Sequence, residues 1–239
     1  MRTSILGVPL DDLSLDEILE RISNGERLFQ IFINIHKLVL FHKDRRFSAV
    51  RNAEGGVFSV DGRWVQFLAR LKGITLKERF GGQEVINQCF SIARGRGYRI
   101  YLLGARKAVL EKASTVLKNS FPDACIVGAQ DGFFDSENKV IEDIKDKKPH
   151  MLFLALPSPR KELLGCRIFQ EVQSLNYVAG VGGAFDIIAG EFKRAPKIVQ
   201  NFGLEWFWRC IFNVKLFPRY IYDFFYILRL LFGCKASLL

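Results

Sequence analysis

The sequence predicts an α/β fold: a mostly parallel sheet with helices on both faces, followed by a basic, aromatic, helical appendage. Three observations carry that expectation. Short runs that are apolar throughout, such as Met151–Leu156, alternate with amphipathic segments, and strands buried on both faces read this way. Gly, Asp or Asn follows nearly every such run, as expected at the carboxyl end of a strand that turns into a helix. After Ile198 the composition changes to aromatic and basic residues.

The elements follow in order. Ser14 precedes Asp16 and Glu17, an N-cap with acids in the first turn, and Ile18, Leu19 and Ile22 supply the apolar face of a first helix. Phe29–Ile35 is a β-type run containing Asn34 near its end, and a helix is expected from Lys37 to Arg51 with Leu38, Val39, Phe41 and Val50 inward. Val57–Val60 is a short strand that stops at Asp61-Gly62, and Trp64–Leu71 is helical. Gly81-Gly82 opens a helix through Val85, Ile86, Cys89 and Ile92. Strand and helix then alternate regularly: strand Tyr98–Leu103 ending at Gly104, helix Lys107–Asn119, strand Ala124–Val127, helix Glu137–Asp146 and strand Met151–Leu156. Pro159 opens the next helix in its first turn, and Tyr177–Val181 is the last core strand. Residues 1–192 thus form the core and 193–239 the appendage.

Composition narrows the function classes. A chain of 239 residues, 49% hydrophobic and 25% charged, buries a large core without metals or disulfides. Its five cysteines are an odd number, widely spaced, with no C-x-x-C, which fits a reducing compartment. His36, His42 and His150 form no metal-ligand pattern, and no metal or cofactor is expected. Met1–Leu13 has no long apolar core behind a basic start, so no signal peptide is expected. The net charge is +10, and residues 193–239 hold eight Lys/Arg against two acids. Charge alone admits nucleic acid, an anionic membrane or a phosphorylated substrate as partner.

The appendage separates these. Between Asn201 and Phe232 there are twelve aromatics, interleaved with basic residues. Arg219, Asp223 and Arg229 interrupt the apolar runs well short of the ~20 residues that a spanning helix needs. Such a segment suits the plane of a membrane interface, which places the protein peripherally on the cytoplasmic face of a membrane. Clustered Phe suits burial better than a solvated stacking platform, so nucleic acid is not the expected partner.

In a parallel sheet the ligand lies in a crevice beyond the carboxyl ends of the strands. Asn34, Asp61, Gly104, Asp131-Gly132, the Pro159 segment and Gly182-Gly183 fall there. No G-x-G-x-x-G follows the first strand and no G-x-x-x-x-G-K-[ST] occurs, which argues against nicotinamide dehydrogenases and P-loop NTPases. Residues 180–209 concentrate the chemistry. Gly182 and Gly183 let the backbone approach a ligand, Asp186 accepts hydrogen bonds from hydroxyls, and Lys193, Arg194 and Lys197 add positive charge. The competing reading is a tight turn followed by a basic surface helix.

Several segments together resemble the WecG/TagA/CpsF glycosyltransferases, glycosyltransferase family 26. They are ILGVPLDDLSLDEIL at Ile5–Leu19, Asn34, Asp61-Gly62, Arg79-Phe80-Gly81-Gly82, YLLGA at Tyr101–Ala105, Asp131–Phe134, SPRKE at Ser158–Glu162, and GVGGAFD, KRAP and GLEW in the 180–209 stretch. The resemblance implies a Rossmann-like core and an inverting, membrane-associated transferase. Such an enzyme moves a hexose, often N-acetylmannosamine, from a UDP-sugar to a polyprenyl-diphosphate-linked acceptor, for teichoic acid, capsule or exopolysaccharide. It implies Asp61 as the base that takes the acceptor proton, a role that a strand-end carboxylate suits. Arg79 matches a family arginine near the nucleotide, and Asn34 matches a strand-end Asn that contacts sugar or acceptor.

No Asp-x-Asp occurs to hold a metal on the diphosphate, so Arg79, Lys161, Arg194 and Arg209, with Arg160, are candidate cations. Phe133 offers a ring for uracil, and Gly104, Gly182, Gly183 and Asp186 line the expected nucleotide-sugar crevice. Three residues depart from the usual pattern: Phe32 for Thr, Lys161 for Gln and Phe133 for Tyr. Lys161 adds a cation beside the sugar pocket, which brings in an acidic donor such as a UDP-uronic acid. A non-catalytic module binding a nucleotide or a lipid diphosphate is the alternative reading, and a homo-oligomer is left open.

Overall fold

A computed structural model describes residues 2–192, 195, 196, 199, 203–212 and 214–231, without the side chains of Arg209 and Phe212. The core is a six-stranded sheet in the order β4-β3-β8-β7-β5-β6, with every neighbouring pair parallel. Its strands are β3 (Leu28–Ile33), β4 (Gly56–Val60), β5 (Arg99–Gly104), β6 (Cys125–Gln130), β7 (Met151–Ala155) and β8 (Tyr177–Ala179). The helices of the core are α1 (Leu15–Ser23), α2 (Ile35–Lys43), α3 (Phe47–Arg51), α4 (Arg63–Leu71), α5 (Gly82–Arg96), α6 (Lys107–Ser120), α7 (Glu137–Lys147), α8 (Arg160–Glu171) and α9 (Ala184–Ile188).

Side chains alternate across the sheet as the strand period requires. Phe29, Ile31 and Ile33 of β3, Tyr101 and Leu103 of β5, and Leu152 and Leu154 of β7 pack with α2, α3, α4, α7 and α8. Leu28, Phe32, Ile100, Leu102, Met151 and Phe153 point the other way, onto α1, α5, α6 and α9. Both faces are therefore covered, which is why these runs carry no polar alternation. Gln30 is the buried exception in β3, and its amide is satisfied by Ser59 Oγ at 3.0 Å and by the Tyr177 hydroxyl.

Two features depart from the sequence expectation. The helix expected over Lys37–Arg51 is two helices, α2 and α3. Asp44 leaves helical geometry, and its Oδ1 accepts the Arg46 backbone N–H at 3.0 Å, a side-chain turn that competes with the helix ladder. The amino terminus also forms an unforeseen antiparallel hairpin, β1 (Arg2–Ile5) and β2 (Val8–Asp11), through a turn with positive φ at Leu6 and Gly7. Ile5, Val8 and Leu10 join the core, while Asp11 Oδ2 accepts from Phe58 N at 2.9 Å, so the hairpin covers the β4 edge.

After the core come α10 (Glu205–Phe212), a 3-10 turn at Val214–Leu216 and α11 (Phe217–Leu231). α11 docks on α2. Ile227 is buried in the core, the buried Asp223 carboxylate meets His36 Nδ1 at 2.9 Å, and the Lys43 ammonium reaches Tyr222 and lies over the Tyr222 and Tyr226 rings. Among the described residues no helix is long and apolar enough to cross a membrane.

Candidate active site

β3 and β8 are neighbours, yet the helices that follow them leave on opposite faces of the sheet: α2 on one, α9 on the other. That divergence opens a crevice at the strand ends, the usual ligand position of such sheets. A cavity of about 130 Å³ lies there. Phe32 and Asn34 line it from the end of β3, Asp61 from the end of β4, Arg79 and Gly81–Gln83 from the start of α5, and Gly180–Gly183 from the turn after β8. Lys37 and Lys161 also line it, and Glu205 and Trp208 of α10 close it from the appendage.

Each side chain has a local reason for its place. Asp61 follows the last residue of β4 and its backbone N–H donates to Ile33 O at 2.8 Å, so the two strand ends are tied together beneath the carboxylate. Asn34 caps α2 by accepting from Lys37 N at 3.1 Å, which fixes it at the crevice mouth. The amino end of α5 presses on the β8 turn: a Cβ on Gly82 would stand 2.7 Å from Val181 O, so only glycine permits this approach. Gly182 takes φ +57°, the left-handed conformation that turns the chain from β8 toward α9.

The floor is a buried charge cluster. Glu162 Oε1 accepts from Lys37 Nζ at 2.7 Å and from Ser158 Oγ at 3.2 Å, and lies 3.7 Å from Lys161 Nζ. Lys37 Nζ also donates to Ser158 Oγ at 2.8 Å. Burial alone would raise the Glu162 carboxyl. The ammoniums of Lys37 and Lys161 and the Lys37 hydrogen bond outweigh it and hold the carboxyl below its usual range. Burial, and then the neighbouring Lys37 charge, push the Lys161 amine down to about 8, against the opposing pull of Glu162 and Asp61. On the other wall, Arg79 Nη1 donates to Glu205 Oε2 at 3.2 Å.

The cavity thus unites six of the residues singled out from sequence: Asn34, Asp61, Arg79, Lys161, Gly182 and Gly183. Gly104, Phe133, Arg160 and Asp186 stand outside its lining. Gly104 ends β5 in register with Ala155 of β7. Phe133 is 79% exposed on the loop after β6, and Arg160 lies nearby with its guanidinium 4.2 Å from the Phe134 ring centroid. Asp186 sits on α9, where burial raises its carboxyl and Arg106 opposes the rise. Lys193, Arg194 and Lys197 lie outside the described residues, and Arg209 is described only as a backbone position in α10.

Sequence reasoning did not single out Lys37, Gln83, Ser158, Glu162, Glu205 or Trp208 as site residues. Ser158 and Glu162 stand inside the SPRKE segment, and Glu205 inside GLEW, so their motifs were visible but not their roles. Lys37 looked like an ordinary residue at a helix start. Its burial follows only from the tertiary structure, which brings the start of α2 to Glu162 near the start of α8.

The cavity can do one kind of chemistry well. A carboxylate stands at one end, cations stand at the floor and far wall, and glycine backbone lies between them. That arrangement can accept a proton from a hydroxyl while holding an anionic group nearby.

Two proteins of known activity are similar in sequence. The N-acetylglucosaminyldiphosphoundecaprenol N-acetyl-β-D-mannosaminyltransferase of Bacillus subtilis (strain 168) is 30% identical over 205 residues, covering 84% of this chain and 78% of that protein. The protein of the same name from Bacillus spizizenii (strain ATCC 23059 / NRRL B-14472 / W23) is 30% identical over 159 residues, covering 66% of this chain and 62% of that protein. The model of the glycosyl transferase WecG/TagA/CpsF family matches residues 3–238, nearly the whole length. By that match the chain belongs to the WecG/TagA/CpsF family of glycosyltransferases.

Proposed function

We propose that this glycosyltransferase moves a hexose, of N-acetylmannosamine type or a related uronic acid, from a UDP-sugar to a polyprenyl-diphosphate-linked sugar, with inversion at the anomeric carbon. The product serves surface-polysaccharide assembly. The observation that carries the reading is the convergence of Asp61, Asn34, Arg79 and the Gly182-Gly183 turn on one strand-end cavity. The names of the two Bacillus relatives support the acceptor class, since both denote a transferase acting on N-acetylglucosaminyldiphosphoundecaprenol.

In the proposed reaction the Asp61 carboxylate takes the proton of the acceptor hydroxyl. The hydroxyl oxygen bonds to the anomeric carbon from the face opposite the leaving group. The bond from that carbon to the diphosphate oxygen breaks, and UDP departs with the electron pair. Asn34 orients a sugar hydroxyl, and Arg79 binds the diphosphate once Glu205 yields it. The cavity of about 130 Å³ is smaller than the ~300 Å³ at which pockets for drug-sized ligands begin. A shift of α10 that frees Arg79 from Glu205 would widen the crevice for the donor.

A membrane role for the appendage accords with its composition and with its exposed apolar side chains, among them Phe207, Ile211, Val214, Phe217 and Phe225. The exposed Phe67 and Leu71 of α4 extend the same character onto the core. The deciding experiment incubates the protein with a panel of UDP-sugars and a short-chain prenyl-diphosphate-GlcNAc acceptor, with mass analysis of the product. Addition of one hexose residue with release of UDP supports the reading. UDP binding without transfer to any acceptor favours the non-catalytic binding module.

A further inference from the structure

We propose that the Lys161 ammonium is a catalytic cation that takes up the charge developing on the donor's diphosphate as the nucleotide departs. The inference deepens the UDP-sugar reading above and rests on it.

Three cations line the cavity among the described residues: Lys37, Arg79 and Lys161. Lys37 is held at 2.7 Å by Glu162 and at 2.8 Å by Ser158. Arg79 is held at 3.2 Å by Glu205. The closest carboxylate contact of Lys161 is 3.7 Å, to a Glu162 oxygen that already accepts from Lys37 and Ser158. Lys161 is therefore the lining cation with the loosest internal engagement, and a ligand anion can claim it without breaking a close ion pair.

Packing directs it at the ligand. Its stem lies against Gly180, where a Cβ would stand 3.2 Å from Lys161 Cε, and a Cβ on Gly182 would stand 3.4 Å from Nζ. The head group thus lies beneath the glycine turn, with its side chain 13% exposed. The charged groups facing it are Lys37 from α2, Glu162 on its own helix and Asp61 from the end of β4. Two ammoniums on one carboxylate leave a positive excess in a low-dielectric floor, and Asp61 balances it in the resting protein. When Asp61 takes up the acceptor proton, that balancing charge disappears. In the same step the breaking bond leaves an electron pair on the diphosphate oxygen, so the Lys161 charge passes from one anion to the other. No proton leaves Lys161.

The ammonium must be charged to act. Because burial brings its pKa down to about 8, the charge is present at neutral pH and is lost as pH rises through that value.

The test is calorimetric binding of UDP and of uridine, from neutral pH upward. Wild-type affinity for UDP should weaken by up to about tenfold per pH unit above the Lys161 midpoint, while uridine binding stays flat. Lys161→Gln should bind UDP about tenfold more weakly at neutral pH and lose the alkaline weakening. Lys161→Arg, whose charge does not titrate, should also lose the alkaline weakening while keeping UDP affinity. A Lys161→Gln protein with wild-type UDP affinity and the same alkaline weakening overturns the proposal. So does a variant that binds UDP normally but loses affinity for a prenyl-diphosphate acceptor. If the wild-type protein binds no UDP at neutral pH, the donor reading falls and this inference falls with it.

Discussion

Glu205 Oε2 lies 3.2 Å from Arg79 Nη1, and both side chains line the cavity. A carboxylate from the appendage thus occupies the place on the guanidinium that an anionic ligand would take. The pair joins residues 126 positions apart and makes α10 a wall of the site.

Glu205 should therefore compete with the nucleotide. Glu205→Gln is expected to bind UDP about two- to fivefold more tightly at low salt, the modest size reflecting a partly solvated ion pair. Isothermal calorimetry reads this directly. Unchanged or weaker binding would show that Arg79 does not meet the diphosphate.

Asp61→Asn is isosteric and removes the ability to accept a proton together with the carboxylate charge. Transfer should drop by about two to four orders of magnitude, while UDP binding is kept or tightened, because Lys161 loses a balancing charge, and the unfolding midpoint stays near wild type. Single-turnover kinetics beside calorimetry separate the two quantities. Wild-type turnover in this variant rules out Asp61 as the base.

The floor cluster makes stability depend on acid. Glu162 has a folded pKa below its ordinary value of 4.5. Its contribution is fully present above that ordinary value and is lost as pH falls through the folded one. Lys37→Met should cost up to about 3–5 kcal/mol, because it leaves the buried Glu162 carboxylate only the longer 3.7 Å contact with Lys161, and the double variant Lys37→Met/Glu162→Met should recover part of that loss. It should also unfold with a shallower dependence on acid. Urea denaturation across the acid range checks both, and a double variant no more stable than Lys37→Met would sink the argument.

Ile211 and Phe225 are 57% and 64% exposed, so charging them leaves the core intact. The double variant Ile211→Glu/Phe225→Glu should lose binding to anionic vesicles by about tenfold or more, with an unchanged circular dichroism spectrum. Flotation with labelled vesicles measures it. Retained binding would mean that the exposed face of the appendage is not the membrane contact.

Much of the sheet was legible because its strands are buried on both faces, and such burial demands uninterrupted apolar runs. Met151–Ala155 and Leu28–Ile33 satisfy that demand almost residue for residue. The break between α2 and α3 was not read from the sequence: His42–Arg46 carry no apolar residue, and the Asp44 side-chain turn that ends the helix shows only in the structure. The amino-terminal hairpin was missed for a related reason. Leu6-Gly7 is a weak turn signal, and the strands pair with each other while meeting β4 through side chains rather than a ladder.

By itself the sequence determined which residues stand at strand ends, because local periodicity and glycine placement decide where a buried strand must stop. Asn34, Asp61 and Gly182 followed from that, and their convergence followed from the parallel arrangement. Only the tertiary structure decided which charges meet. Lys37 and Glu162 are brought together where the starts of α2 and α8 meet at the strand ends, and Arg79 and Glu205 by the return of α10 over the strand ends. Ion pairing depends on distance in space and on exclusion of water, and neither is encoded in local spacing.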